Sequence, residues 1–375
     1  MIKQYYKQAL AQLRQHPLIS IIGIVGTALS IFLIMLVVMM QQVKVAPFSP
    51  ESNRNRFLHV HYMSISHKDW GNGTSNGPMS VQTAREVYKS LKTPEAVTVY
   101  CCMTVSTPVS LPGAPAIGAD VRETDDTFFH VFDFQFTDGK PYDEATFTAG
   151  RPVAVITESI SRALFGSIQS VGKEFLLSHA PYRVVGVVKD VSTLADMAYG
   201  QVWIPFTSTN LSNDTWSDNH MGMMSVTLLA HDREDFDEIR AEAKRRMNEY
   251  NSILADQGYT LIDRNRPYDQ ETQSISFAAN LEPDLKAARR ERVIIFIILL
   301  LVPAINLSSM TQSRLRQRVA EIGVRRAFGS TRIEMVGQIV MENLVITLLA
   351  GAIGLLISIL FAYWGTDILF AQPYS

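Results

Sequence analysis

Several small groups of residues carry side chains that could do chemistry. His59 and His61 alternate along a strand-like stretch, which places both imidazoles on one face, and His67 and Asp69 follow closely. Such a set would suit a metal ion, but no spaced Cys/His framework accompanies it, and no metal site is expected. The stretch from Gly166 to Glu174 (GSIQSVGKE) has the outline of a phosphate-binding loop. Five residues rather than four separate Gly166 from Gly172, and Glu174 stands where a Ser or Thr would meet Mg²⁺. A turn between helix and strand is expected instead, and no ATPase within the chain. Cys101 and Cys102 are adjacent. Their Cα atoms would lie about 3.8 Å apart, below the usual disulfide range, and on a strand one would face inward and the other outward. Asp125 and Asp126 read as solvated turn or cap residues. No G-x-S-x-G or H-E-x-x-H motif occurs, so no catalytic residue is expected.

A different chemistry is concentrated between Arg314 and Arg332 (RLRQRVAEIGVRRAFGSTR), where six arginines stand against one glutamate, Glu321. Glu321 and Arg325 form an i,i+4 pair on a helix, and Arg332 follows at roughly helical spacing. Arginine suits directed interface ion pairs because its planar group makes several hydrogen bonds at once. The segment also offers Val319, Ile322, Val324 and Phe328 as apolar contacts, and Arg326 as a further cation. Gly323 and Gly329 would permit close backbone approach or end the helix. Spacing alone leaves two readings open: a juxtamembrane helix lying on anionic lipid, or a helix that docks into a cytoplasmic partner.

The elements around this segment are hydrophobic. Whole-chain averages hide this, because the net charge is −2 and 19% of the 375 residues are charged. That balance points to neither nucleic acid nor a strongly acidic partner. Three windows, Pro17 to Met40, Val293 to Met310 and Leu344 to Trp364, contain no charged residue. A membrane helix needs about 20 such residues. The first window is too long for the apolar core of a signal peptide and no A-x-A site follows it, so it reads as an uncleaved anchor. Lys3, Lys7 and Arg14 place the N-terminus in the cytoplasm, and the arginine-rich loop lies there too. Arg289, Arg290 and Arg292 oppose the rule locally, but long translocated domains tolerate such charges. Pro303 would remove a backbone hydrogen bond from the second span. Asn306 would bond either within its own helix or across a bundle or dimer. Gly351 and Gly354, with Ala350 and Ser358, offer a close-packing face on the third span, as do Gly23, Gly26, Ala28 and Ser30 on the first. Glu342 and Asn343 read as headgroup-level residues at the start of the third span.

Between the first two spans lies a long region of alternating strand-like and helix-like patterns. Phe57–Tyr62 alternates like a half-buried strand. Val81–Leu91 has helical spacing after Ser80 as N-cap. Ala96–Met103, Val153–Ile156, Phe175–Leu177, Tyr182–Val191 and Met223–Ala230 read as strands. Helices are expected through Phe165 and from about Arg233 to Leu254. The mixture argues α+β. The proline-rich crossing from Pro108 to Pro115 and the polar stretch from Phe206 to Asn219 read as hinges between two lobes. The expected fold is an α-helical membrane protein with a two-lobed α+β external domain inserted between the first and second transmembrane helices. Its divisions are 1–44 (cytoplasmic N-terminal helix and first span), 45–291 (external domain, inserted lobe about 116–203) and 292–375 (second and third spans, with the coupling segment 314–334).

AEIGVRRAFGSTR, Ala320 to Arg332, resembles the cytoplasmic segment of MacB/FtsX-type ABC transporter permeases, and PAINLSSM, Pro303 to Met310, resembles their second membrane helix. VAVITESISRALFG, Val153 to Gly166, and YRVVGVVKDV, from Tyr182, are similar to the MacB periplasmic core domain. The resemblance implies a multi-pass protein of the bacterial inner membrane that dimerises with a second permease copy or a paralogue. It implies docking of a cytoplasmic ABC ATPase on the segment containing Glu321, Ile322, Gly323, Arg325, Arg326, Phe328, Gly329 and Arg332. ATP would be used by that partner, with no cofactor bound by this chain, and the work would be delivered to the external domain. Members of the family act in efflux, in lipoprotein extraction or in the control of cell-wall hydrolases. A periplasmic adaptor and membrane lipids are further expected partners; nucleic acid is not. The family has a fourth membrane helix, and this sequence stops at Ser375, shortly after the third span: either the sequence is truncated or the fourth helix is absent. The competing reading is a membrane-anchored periplasmic sensor or regulator of a cell-envelope enzyme.

Overall fold

The computed structural model describes residues 17–365, without the side chains of Pro17–Ser20, Ser212, Arg314, Gln317, Glu321 and Gly365. Lys3, Lys7 and Arg14 lie outside it. Helices of eight residues or more are α1 (Pro17–Val45), α2 (Glu158–Phe165), α3 (Phe236–Leu254), α4 (Leu285–Gln317), α5 (Val319–Ala327) and α6 (Arg332–Leu360). Among the described residues three stretches are long and apolar enough to cross a membrane: Ile21–Val45, Leu285–Ser313 and Arg332–Trp364. The chain divides into two compact units, one holding most of α1 with residues from Lys286 onward, the other holding Val43–Leu285.

The external unit contains fourteen strands among the described residues: β1 (Phe57–Val60), β2 (Met63–His67), β3 (Thr74–Gly77), β4 (Ala96–Cys101), β5 (Val105–Ser110), β6 (Ile117–Thr124), β7 (Phe136–Gly139), β8 (Val153–Thr157), β9 (Glu174–Leu177), β10 (Ala180–Val188), β11 (Val202–Pro205), β12 (Met224–Leu229), β13 (Tyr259–Ile262) and β14 (Tyr268–Asp269). Eleven of them share one sheet, ordered β11-β8-β10-β9-β5-β6-β4-β12-β1-β14, with β7 added on β10. Strand β11 also pairs with β6, so β6, β11, β8, β10, β9 and β5 close into a ring. Closure leaves those strands no free edge. The ring interior is filled by Val109, Ile156, Phe175, Val184, Val202 and neighbouring side chains. β13, β2 and β3 form a separate small sheet.

A second core lies where α3 covers β1, β4 and β12. Phe236, Ile239, Ala243, Met247, Tyr250 and Leu254 form the buried face of α3, at the three-to-four-residue spacing of an amphipathic helix. A third, aromatic cluster gathers Phe57, Tyr100, Phe128, Phe132 and Trp203.

Several sequence expectations change in detail. β1 is buried at all four positions, because both of its faces are covered: Leu58 and Val60 enter one core and Phe57 another. Pro108 lies inside β5, opposite Gly118, and is not in a hinge. Val81–Lys89 is one helical turn followed by a π-helical stretch, and Ser80 caps it by accepting from the Thr83 amide. Gly166 closes α2 with φ of 70°, and Gly172, with φ of 86°, turns the chain toward β9.

The membrane unit packs through small residues. Asn306 Nδ2 donates to Thr27 Oγ1 at 3.1 Å and to Gly23 O at 3.3 Å, so its amide crosses from α4 to α1. A Cβ on Gly26 would lie 2.8 Å from that amide nitrogen, and one on Gly354 would lie 2.7 Å from Ala28 O. A Cβ on Gly351 would meet only Ile31 Cδ1, at 3.7 Å. Helix α4 runs through Pro303 without a break.

Candidate functional site

The residues picked out by the arginine-rich segment occupy a short helix and two turns. α4 ends at Gln317, Arg318 is the N-cap of α5, and α5 ends at Ala327. The stop is local chemistry. Gly329 has φ of 95°, its amide donates to Arg326 O at 3.1 Å, and the Ser330 amide donates to Arg325 O at 3.2 Å. This pair of bonds is a Schellman closure, which requires a left-handed residue that glycine supplies without strain. Thr331 then starts α6 with a capping box: its hydroxyl accepts from the Glu334 amide, and the Glu334 carboxylate accepts from the Thr331 amide at 2.9 Å.

The side chains divide into two sets. Arg325 turns inward and donates from Nη1 to Gln338 Oε1 at 2.8 Å. Gln338 Nε2 donates to Glu342 Oε1 at 2.8 Å, and Arg318 Nη1 meets Glu342 Oε2 at 3.1 Å. These groups tie both ends of α5 to one face of α6. Ile322 and Arg325, with Leu315, Arg318, Met335, Gln338 and Ile339, line a shallow groove. The outward set is exposed: Gly323, Arg326, Gly329 and Arg332, with Val324 and above all Phe328, which is 88% exposed. A Cβ on Gly323 would meet nothing within 4 Å, so no close approach within this chain requires that glycine. Glu321 lies on α5, and its side chain falls outside the described residues.

Sequence reasoning missed Gln338 as a partner and placed Glu342 at headgroup level. Glu342 is buried within the unit, ten residues into α6. A signal was available. Gln338 and Glu342 are an i,i+4 polar pair in an otherwise apolar helix, where unpartnered polar groups would be costly.

In the external unit the candidate chemical residues are structural. His59 Nδ1 meets Thr227 Oγ1 at 3.1 Å and its Nε2 meets Gln270 Oε1 at 2.8 Å; burial pulls its pKa down to about 4. His61 meets Ser225 Oγ at 3.2 Å, and burial lowers its pKa too. His67 accepts from the Asp69 amide. Among the described residues no group of three or more His, Cys, Asp or Glu side chains could hold a metal ion. Asp125 corrects the solvated-turn reading. It is 1% exposed, accepts from Thr98 Oγ1 at 2.6 Å and the Val99 amide at 2.9 Å, and pairs with Lys89 at 2.7 Å. Burial raises its pKa despite that lysine. Cys101 ends β4 and is buried, Cys102 is half-buried, and both are free thiols.

Comparisons with known proteins agree with this architecture. Residues 18–246 match the MacB-like periplasmic core domain, and residues 293–375 match the FtsX-like permease C-terminal domain. The ABC transporter permease YknZ of Bacillus subtilis is 22% identical over 244 residues, covering 63% of this chain and 55% of YknZ. The macrolide export ATP-binding/permease protein MacB of Burkholderia cenocepacia is 24% identical over 244 residues, covering 64% of this chain and 33% of that protein. The alignment therefore spans about half the length of one relative and a third of the other. Among solved structures, the periplasmic region of MacB from Actinobacillus actinomycetemcomitans is 18% identical with a TM-score of 0.37, covering 54% of this chain and 88% of that one. A domain of a permease protein from Porphyromonas gingivalis is 15% identical with a TM-score of 0.39, covering 64% of this chain and 97% of that one. With a core-domain match over more than half its length and a permease-domain match beyond it, the chain belongs to the MacB/FtsX-type family of ABC transporter permeases.

Proposed function

We propose that this chain is the permease subunit of an export or mechanotransmission complex driven by a separate cytoplasmic ABC ATPase. The observation that carries the reading is the two-sided turn at α5. Arg318 and Arg325 fix it to α6 from within, while Phe328, Val324 and Arg326 project outward. A fixed base with an exposed aromatic anchor and an arginine suits a directed protein contact, since Arg and aromatic residues dominate interface energetics. A lipid-lying helix would need no inward clamp. In this reading the segment is cytoplasmic and the β-rich unit is periplasmic, as the basic bias around the spans requires. The bacterial inner membrane is the proposed location. ATP is consumed by the partner, and this chain is non-catalytic. A second permease copy or paralogue covers part of the apolar helix surface, with an adaptor as a further proposed partner outside.

The test is purification of the tagged full chain from its native host, with measurement of the ATPase activity that accompanies it. Arg326→Glu with Phe328→Asp should remove most of that activity while leaving the chain in the membrane. Retention of full activity by the double variant would favour lipid anchoring. Absence of any accompanying ATPase from the parent chain would favour a membrane-anchored sensor or regulator.

A further inference from the structure

Within the external unit, the last turn of α1, from Val43, is held by side chains from later in the same unit, and the hold is unusual in its chemistry. Terminal carbonyls of a helix have no intrahelical partner and commonly face water. Here Arg54 Nη1 donates to Val43 O at 2.6 Å and to Ala46 O at 3.1 Å. Gln270 Nε2 donates to the intervening Lys44 O at 2.8 Å. Arg54 is only 2% exposed, and its guanidinium lies over the Phe48 ring at 4.2 Å.

The same guanidinium reaches a distant segment. Arg54 Nη2 donates to Leu194 O at 2.8 Å, and its Nε donates to Glu51 Oε2 at 2.7 Å. The other oxygen of Glu51 accepts from the amides of Met197 and Ala198, each at 2.9 Å. One buried ion pair thus holds the helix end with one edge and the Leu194–Ala198 segment with the other. That segment leads directly into β11, the strand that closes the ring. Gln270 makes a parallel link, since its Oε1 meets His59 on β1.

We propose that the Arg54–Glu51 pair is the positioning joint that passes movement of the α1 end to the ring-closing segment Leu194–Ala198. This deepens, and rests on, the reading of the chain as a mechanotransmission permease. The geometry explains the choice of arginine. Its fork serves three carbonyls and a carboxylate at once, whereas a lysine ammonium is a compact point donor that cannot span them. Gln270 alone would hold α1 to the central sheet and leave the ring uncoupled.

The joint is tested in the full chain with its co-purified ATPase in lipid nanodiscs. Spin labels are placed at the exposed positions Thr193 and Lys244, in a Cys101→Ser, Cys102→Ser background. Their separation is measured without nucleotide and with ATP and vanadate. The expected result is a nucleotide-dependent shift in the parent protein that is lost in Arg54→Lys, with ATPase association retained. Glu51→Gln with Arg54→Met serves as a second variant, because removing both charges leaves no buried ion unpaired. It too should lose the shift while melting as one folded unit. A full shift in either folded variant overturns the joint alone. Absence of a shift in the parent overturns the joint together with the mechanotransmission reading.

Discussion

The external and membrane units use charge in opposite ways. In the external unit two buried carboxylates are paired, Glu51 with the buried Arg54 and Asp125 with the part-exposed Lys89, and each also satisfies backbone groups within the same fold. In the membrane unit Arg318, Arg325, Gln338 and Glu342 are also paired, but the surface beyond them is left open. Phe328, Ile333 and Val324 are exposed beside it, as is much of the apolar surface of α4. The external unit has three cores of its own. The membrane unit exposes many apolar side chains on helices long enough to cross a membrane. The difference separates a unit with its own buried cores from one with much exposed apolar surface.

The largest effect should come from breaking a finished pair outside. Arg54→Ala leaves the Glu51 carboxylate buried without its cation, and burial already raises that group's pKa. Loss of about 3–5 kcal/mol is expected, read by denaturant unfolding of the full chain. A change below about 1 kcal/mol would show that the pair is not a stabilising element of the external unit.

Titration sharpens the comparison. Burial pushes Glu123 up to about 7, opposed by a hydrogen bond from Thr209. Its folded state therefore holds a proton more tightly than the unfolded chain, and that contribution to stability is lost as pH rises from about 4.5 through about 7. Glu123→Gln keeps an acceptor for Thr209 and should flatten this loss, adding on the order of 1–3 kcal/mol at pH 8 and little at pH 4. His59 has the opposite sign. With its folded pKa near 4, protonation favours the unfolded chain, so its contribution is lost as pH falls from about 6.5 toward 4. Unfolding curves across pH 4–8 for parent and Glu123→Gln check the first contribution, and the same curves for His59→Gln the second; a variant curve parallel to the parent's at all pH values would contradict that residue's contribution.

Within the membrane unit, Gly354→Ala places a Cβ against Ala28 O and should cost about 1–3 kcal/mol of helix association, read as a lower melting temperature in detergent. Gly351→Ala has room and should be near neutral. A small effect of opposite sign belongs to the open turn. Gly323→Ala should stabilise α5 by about 0.5–1 kcal/mol, because the glycine is mid-helix with no neighbour. If it instead abolishes ATPase association, Gly323 lies at the partner contact.

Much of this organisation is legible in the sequence because it is written locally. Apolar runs of membrane length, the capping Ser80 and the apolar stripe of α3 are all contiguous signals. The ring is not, because it depends on β11 meeting β6 some eighty residues away, and one of its strands contains Pro108, which reads as a turn. Asp125 looks solvated because its partners Lys89 and Thr98 arrive from other elements. At the arginine-rich turn the composition marks the segment, but it does not separate Arg325, turned inward, from Arg326, turned out. That distinction depends on Gln338 lying on the next helix.

The central claim is that the outward face of α5 meets an ATPase. It is tested most directly by a photo-crosslinking amino acid at position 328, the most exposed aromatic site of the turn, in the native host under growth conditions. The account predicts a crosslinked product between this chain and an ABC ATPase, abolished by Arg326→Glu. Crosslinks to lipid alone, unchanged by that substitution, would contradict it.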